Sequence, residues 1–127
     1  MKFKSIALAV LIAAMGFGTA GASIAQQAKM KTVAELHKER VALAGKTIRA
    51  QGKVVKANNG IRGHNFVHVQ DGTGSPGSTN NLIVRSKQTA NVGDQVVITG
   101  MVVVDKDFGA GYFYPLIIEE ATIAPKK

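Results

Sequence analysis

The sequence predicts an all-β domain in which five short strands close into a small barrel behind one short helix. Three observations favour this class. Apolar and polar residues alternate in short runs, and each run is bounded by Gly, Asn, Asp, Ser or Pro. Glycines lie inside the first and fourth runs, where a sharply bent strand can serve two sides of a barrel. After the N-terminal region, one capped stretch alone has helical spacing.

The first 25 residues have the organisation of an export signal and are left out of the domain. Lys2 and Lys4 are basic, Ile6–Phe17 is apolar but short for a membrane span, and small residues precede a cleavage site after Ala25. Ala20-Gly21-Ala22 is a second cleavage site, and an uncleaved anchor is the alternative. We expect a signal peptide over residues 1–25, a domain over residues 26–127 and a periplasmic location.

Charge and cysteine content limit the chemistry. After Lys2 and Lys4 are removed, 14 basic and 8 acidic residues leave a formal charge of +6. This favours anionic partners, although a net charge also simply aids solubility. The chain has no cysteine, so it has no disulfide, thiolate metal site or thiol nucleophile.

The helix and strands follow in order along the chain. Thr32 and Glu35 have capping-box spacing, which predicts a helix over about Val33–Arg40. Val33 and Leu36 lie on its apolar side, and Val41 is a further candidate for that side. Gly52 predicts a bulge or sharp bend, and Pro115 an edge position or a break. Asn58-Asn59-Gly60 predicts a turn. The five strands are expected at Thr47–Lys56, His64–Gln70, Leu82–Ser86, Gln95–Val104 and within Tyr112–Ile123.

Three segments carry a resemblance to a known fold. They read L-A-G-K-T-I-R-A-Q-G-K-V-V, F-V-H-V-Q-D-G-T-G and V-G-D-Q-V-V-I-T-G-M-V, and they resemble the first, second and fourth strands of an OB-fold. The ending D-K-D-F-G-A-G-Y-F-Y-P-L-I-I-E-E-A resembles secreted bacterial single-domain OB-fold proteins related to NrfJ, a group found near nitrite-reduction genes. The resemblance implies a five-stranded OB-fold barrel. It leaves the ligand open, because OB-folds bind oligonucleotides, oligosaccharides, proteins and small ligands.

The candidate binding surface follows from this resemblance. OB-folds bind on the outer face of strands two and three, which here implies Phe66, His68, Ile83 and Arg85, flanked by Arg49 and Lys53. An aromatic ring beside cations suits single-stranded nucleic acid. Phe66 is the only aromatic residue expected on that face, however, and a loop or partner covering it is the alternative.

A metal site is a second hypothesis, with His68, His64 and Met101 as ligands for copper, or a role in handling haem. Four residues along a strand separate two histidines by about 13 Å, so His64 and His68 cannot share one ion while both stay in the strand. Surface histidines and a core methionine are the simpler interpretation.

Other motif matches fail on context. Gly72–Gly77 matches G-x-G-x-x-G, but no helix is expected to follow it. Asp105-Lys106-Asp107 offers only two carboxylates, too few for calcium. No paired general acid and base is legible, so we predict a non-enzymatic binding module without a cofactor, whose partner is an anionic biopolymer or a protein.

Overall fold

The structure, a computed structural model, describes residues 28–126 and consists mainly of five β-strands. The predicted signal peptide lies outside these residues. Among them, no helix has the length and apolar character needed to cross a membrane. The elements are α1 (Val33–Lys38), α2 (Arg40–Leu43), β1 (Thr47–Ile61), β2 (His64–Gln70), β3 (Leu82–Ser86), β4 (Gln95–Asp107) and β5 (Phe113–Pro125).

The five strands form one sheet that closes into a ring in the order β1-β2-β3-β5-β4. Neighbouring strands are antiparallel except β3 and β5, which are parallel. The strand β1 takes part in two pairings: Thr47–Lys53 pairs with β4, and Lys53–Ile61 pairs with β2. The predicted bend at Gly52 falls at this change of partner, where a Cβ atom would lie 2.5 Å from the carbonyl oxygen of Gln70.

The interior of the ring is filled by apolar residues from all five strands, which largely alternate along each strand with residues of the outer face. On β2, Val67 and Val69 are fully buried in this core, whereas His68 between them is only half-buried. This confirms the predicted faces of β2, because successive side chains of a strand point to opposite sides. Val33 and Leu36 of α1 are also buried in the core, so the helix packs against the interior of the ring.

The helix α1 is held by its own cap and by the loop after β2. The predicted capping box is present: Thr32 Oγ1 accepts from the Glu35 amide, and Glu35 accepts from the Thr32 amide. Asp71 Oδ2 accepts from the Val33 amide at 2.9 Å, and Thr73 Oγ1 accepts from the Ala34 amide at 3.0 Å. The D-G-T-G segment therefore satisfies the first helical N–H groups, which have no partner within a helix.

Several predicted boundaries were wrong. The helix ends at Lys38, and a second turn of helix, α2, follows it with Val41 exposed rather than packed on the core. The chain reverses at Arg62-Gly63 instead of Asn58–Gly60. Both residues of that turn have positive φ, as a two-residue type I′ hairpin requires.

The Asn58–Gly60 segment forms an irregularity within β1. The register between β1 and β2 shifts between Asn58 and Ile61, and the Gly60 amide donates to Asn65 Oδ1 at 2.9 Å. The hairpin of β1 and β2 is consequently longer than predicted. The hairpin of β4 and β5 is longer as well, because β4 continues to Asp107. Pro115 lies beyond the part of β5 that pairs with β3, as expected of an edge position.

Candidate functional site

The outer face of β2 and β3 lies at the bottom of a cleft between the two long hairpins. Residues pair across the two strands, Phe66 opposite Arg85 and His68 opposite Ile83. One wall comes from the end of β1 and its turn, and the other from the β4–β5 connection. The cleft has a volume of about 280 Å³ and is lined by Asn58, Ile61, Arg62, Phe66, His68, Arg85, Phe108, Gly109, Ala110, Tyr112 and Tyr114.

Three aromatic rings meet in this cleft. Phe66 packs edge-on against Phe108 at 5.8 Å between ring centroids, and it stacks on Tyr114 at 6.2 Å. Phe108 and Tyr114 contact each other at 5.8 Å. The expectation that Phe66 is the only aromatic residue on this face was therefore wrong. The missed residues are in F-G-A-G-Y-F-Y, a run whose aromatic content was the available signal, since the loop between strands four and five contributes to OB-fold ligand sites.

Arg85 lies in the cleft, but its charge has a partner. Its Nη1 atom donates to Glu119 Oε1 at 2.9 Å, with 24% of the Arg85 side chain and 9% of the Glu119 side chain exposed. The guanidinium carbon lies 5.3 Å from the centroid of Phe108, a cation–π contact. Glu119 was not predicted as part of this site, because the parallel pairing of β3 with β5 is not visible in the sequence.

The surroundings of His68 favour its neutral imidazole. Its Nδ1 atom lies 2.9 Å from Asn81 Nδ2, while Asn81 Oδ1 lies 3.4 Å from Gln70 Nε2. The Asn81 amide therefore donates to Nδ1, which leaves the proton of the neutral ring on Nε2. Burial lowers the pKa of His68, and the positive charge of Lys56 lowers it further.

Asn81 also connects the cleft to the helix. Its backbone carbonyl accepts a hydrogen bond from His37 Nε2 at 2.8 Å. His37, Asn81 and His68 thus form a chain of hydrogen bonds from α1 to the outer face of β2. Asn81 was not identified from the sequence, because residue 81 lies at the end of a long loop.

Three predicted site residues do not line the cleft. Arg49 lies under the segment before α1, where its Nε atom donates to the Ala28 carbonyl at 3.1 Å. Lys53 lies opposite Gln70 at the far end of β2 and lines a separate polar groove. Ile83 is half-buried beside His68 without lining the cleft. The predicted flanking role of Arg49 and Lys53 is therefore wrong for this cleft.

The candidate metal ligands do not converge. His64 Nδ1 lies 3.3 Å from Arg85 Nη2, whereas His68 contacts Asn81. Met101 lies on β4 between Thr47 and Glu119. Within residues 28–126, no group of three or more His, Cys, Asp or Glu side chains is placed to hold a metal ion.

No protein-family model matches the sequence, and no curated protein sequence matches it either. Solved structures do match. OBody AM2EP06 bound to hen egg-white lysozyme is 19% identical, with a TM-score of 0.54 over 75% of this chain and 90% of that chain. OBody AM3L09 bound to hen egg-white lysozyme is 20% identical, with a TM-score of 0.52 over 76% of this chain and 95% of that one.

A larger protein also contains a similar unit. A putative aspartyl-tRNA synthetase from Leishmania major Friedlin is 13% identical, with a TM-score of 0.52 over 80% of this chain and 21% of that chain. At such low identities the likeness concerns the fold alone. The chain therefore has an OB-fold-like β fold.

Proposed function

We propose that this chain is a non-enzymatic OB-fold module of the periplasm that binds an anionic macromolecule in the cleft between its two hairpins. The observation that carries the proposal is the composition of the cleft. It combines apolar and aromatic side chains with the exposed Arg62 and with Arg85, whose charge is paired with Glu119, and none of its lining residues is acidic. Lys106 adds a further cation 5.3 Å from the centroid of Phe108.

The charge balance supports an anionic ligand rather than a cationic one. Glu119 is the acid in contact with the cleft cation Arg85, and its carboxylate is engaged in that ion pair. Arg62 lies exposed at the turn of the β1–β2 hairpin, on the wall of the cleft. A water-accessible cation beside apolar surface attracts a negatively charged partner and speeds its encounter.

A protein is a ligand class that the comparisons also support. OBody AM2EP06 and OBody AM3L09 are both bound to lysozyme. These structures share the fold of this chain, so the fold is compatible with protein binding. A role in metal or haem handling has less support, because His64, His68 and Met101 lie apart.

Fluorescence anisotropy on the protein purified after export tests the proposal. The probes are a fluorescein-labelled 15-mer of oligothymidylate and a labelled 15-residue polyglutamate, each at about 20 mM and about 200 mM salt, because electrostatic binding weakens as salt rises. We expect saturable binding of at least one probe at low salt. We also expect Arg62→Asn to weaken this binding, because it removes a positive charge from the cleft wall. Asparagine is chosen because it tolerates the positive φ of this position.

The matched control is Lys46→Gln, which removes one positive charge from an exposed residue outside the cleft. No binding of either probe at low salt would overturn the proposal. Equal effects of Arg62→Asn and Lys46→Gln would also overturn it, because binding would then depend on net charge and not on the cleft.

A further inference from the structure

The central aromatic rings of the cleft pack against one another. Phe66 is only 8% exposed, since Phe108 packs against its edge and Tyr114 stacks on its face. Phe108 in turn contacts the cationic groups of Arg85 and Lys106, each 5.3 Å from its centroid. A nucleic-acid platform needs open ring faces on which bases stack. These rings instead form a packed floor.

The apolar surface that remains open lies on the two hairpins. Ile61, at the end of β1, is 44% exposed, and Tyr112 and Phe113, where β5 begins, are 62% and 52% exposed. Ile61 and Tyr112 both line the cleft, on its opposite walls. Large apolar side chains exposed around a pocket are typical of surfaces that bind proteins. The arrangement is an apolar pocket with a packed floor and two exposed walls.

The charges around this pocket indicate what kind of protein fits it. Arg62 is exposed on the wall formed by the β1–β2 hairpin, and Lys106 lies beside Phe108 near the opposite wall. The side chain of Glu119 is only 9% exposed and its carboxylate is paired with Arg85, so it does not offset these cations at the surface. A partner with acidic residues on both sides of an apolar one would match this pattern.

We infer that the cleft binds an acidic segment of a partner protein, which inserts one large apolar side chain between Ile61 and Tyr112 over the floor of Phe66, Phe108 and Tyr114. This inference rests on the proposed function and specifies its ligand class. Burying one large apolar side chain is worth roughly a ten- to hundredfold gain in affinity. The acidic residues on either side speed the encounter of the partner with the cleft. The apolar residue makes the contact that distinguishes this partner from other anions.

Two labelled heptapeptides separate these contributions. Each has three acidic residues on either side of a central residue, which is phenylalanine in one peptide and alanine in the other. We expect the phenylalanine peptide to bind at least tenfold more tightly. We expect Tyr112→Ser to reduce this advantage to less than about threefold, because it removes one apolar wall, while Val92→Ser leaves it unchanged. Val92 is the control because it is equally exposed, at 65%, and does not line the cleft.

Equal affinity of the two peptides would overturn this inference, as would an advantage of phenylalanine that survives Tyr112→Ser. The oligothymidylate 15-mer distinguishes failure of the acidic-peptide ligand from failure of anionic-ligand binding as a whole. If it binds in a manner sensitive to Arg62→Asn while the peptides show no preference, the inference fails and the anionic-ligand function stands. If neither heptapeptide, nor polyglutamate, nor the oligonucleotide binds at low salt, both the inference and the proposed function fail.

Discussion

Neutralising Glu119 by Glu119→Gln should have opposite effects on stability and on ligand affinity. The side chain of Glu119 is almost fully buried, and its Oε1 atom lies 2.9 Å from Arg85 Nη1. Removing one partner of a fully buried ion pair costs about 3–5 kcal/mol, and exposed pairs contribute about 0.2–1 kcal/mol. Because Arg85 keeps 24% of its side chain exposed, we expect an intermediate loss of about 1–3 kcal/mol.

The same change should raise the affinity for an anionic ligand. Without the carboxylate, Arg85 contributes an uncompensated positive charge to the cleft. A unit charge about 6 Å from a ligand anion contributes about 0.7–1.4 kcal/mol if the effective dielectric constant is about 40–80. This corresponds to a roughly three- to tenfold tighter complex, with a steeper dependence on salt.

Urea unfolding and anisotropy titration of the same preparations measure both effects. Glu120→Gln is the matched control, because Glu120 is the exposed neighbour and its loss changes the net charge equally. We expect that control to change stability by less than about 0.5 kcal/mol. Two outcomes would contradict this prediction: equal stability of the two variants, or binding of anionic probes by Glu119→Gln that is no tighter than by Glu120→Gln. Adding Arg85→Gln to Glu119→Gln should abolish the gain in affinity.

Three further predictions concern the supports of the site. Asp71→Asn should lower stability at pH 7 by about 1–2 kcal/mol, through the cap on α1. Burial favours a higher pKa for Asp71, but hydrogen bonds from Thr73 and Val33 outweigh it and the net pKa is lowered from 3.8. This contribution is therefore present above about pH 4 and is lost as the pH falls through the lower folded value, so urea unfolding at pH 3 should show a smaller difference. Val67→Asp should unfold the domain and His68→Ala should not; the reverse order of melting temperatures would mean that the faces of β2 are assigned one residue out of register. Nitrogen-15 NMR at pH 7 should show His68 neutral with its proton on Nε2, and a signal from a proton on Nδ1 would contradict the hydrogen bond from Asn81.

The fold was largely predictable because its signals are local. Alternation places Val67 and Val69 on one face of β2 and His68 on the other, and this pattern is visible within a few adjacent residues. The capping box of Thr32 and Glu35 is a four-residue pattern. The hairpin turn was less predictable, because Asn59-Gly60 and Arg62-Gly63 both supply a glycine at positive φ and the pairing of β1 with β2 decides between them.

The candidate site was predicted only in part. Phe66, His68 and Arg85 were found because alternation places them on the outer face of β2 and β3, the face that the resemblance to OB-folds implies for ligand binding. Phe108 and Tyr114 were missed because they come from the β4–β5 hairpin, which reaches the face of β2 only after the ring has closed. Arg49 was placed at the site by its position on β1, yet the bend of that strand directs its first half toward β4.

The five strands, the capped helix, the faces of β2 and the basic character of the chain could be predicted from the sequence, because they depend on spacing, local hydrogen bonds and composition. Which side chains meet in the cleft depends on how the strands pair in three dimensions. The parallel pairing of β3 and β5 brings Glu119 to Arg85 across 34 residues of sequence. That contact turns a predicted free cation into a neutralised one, and the packing of Phe66 by Phe108 and Tyr114 turns a predicted stacking surface into the floor of a pocket.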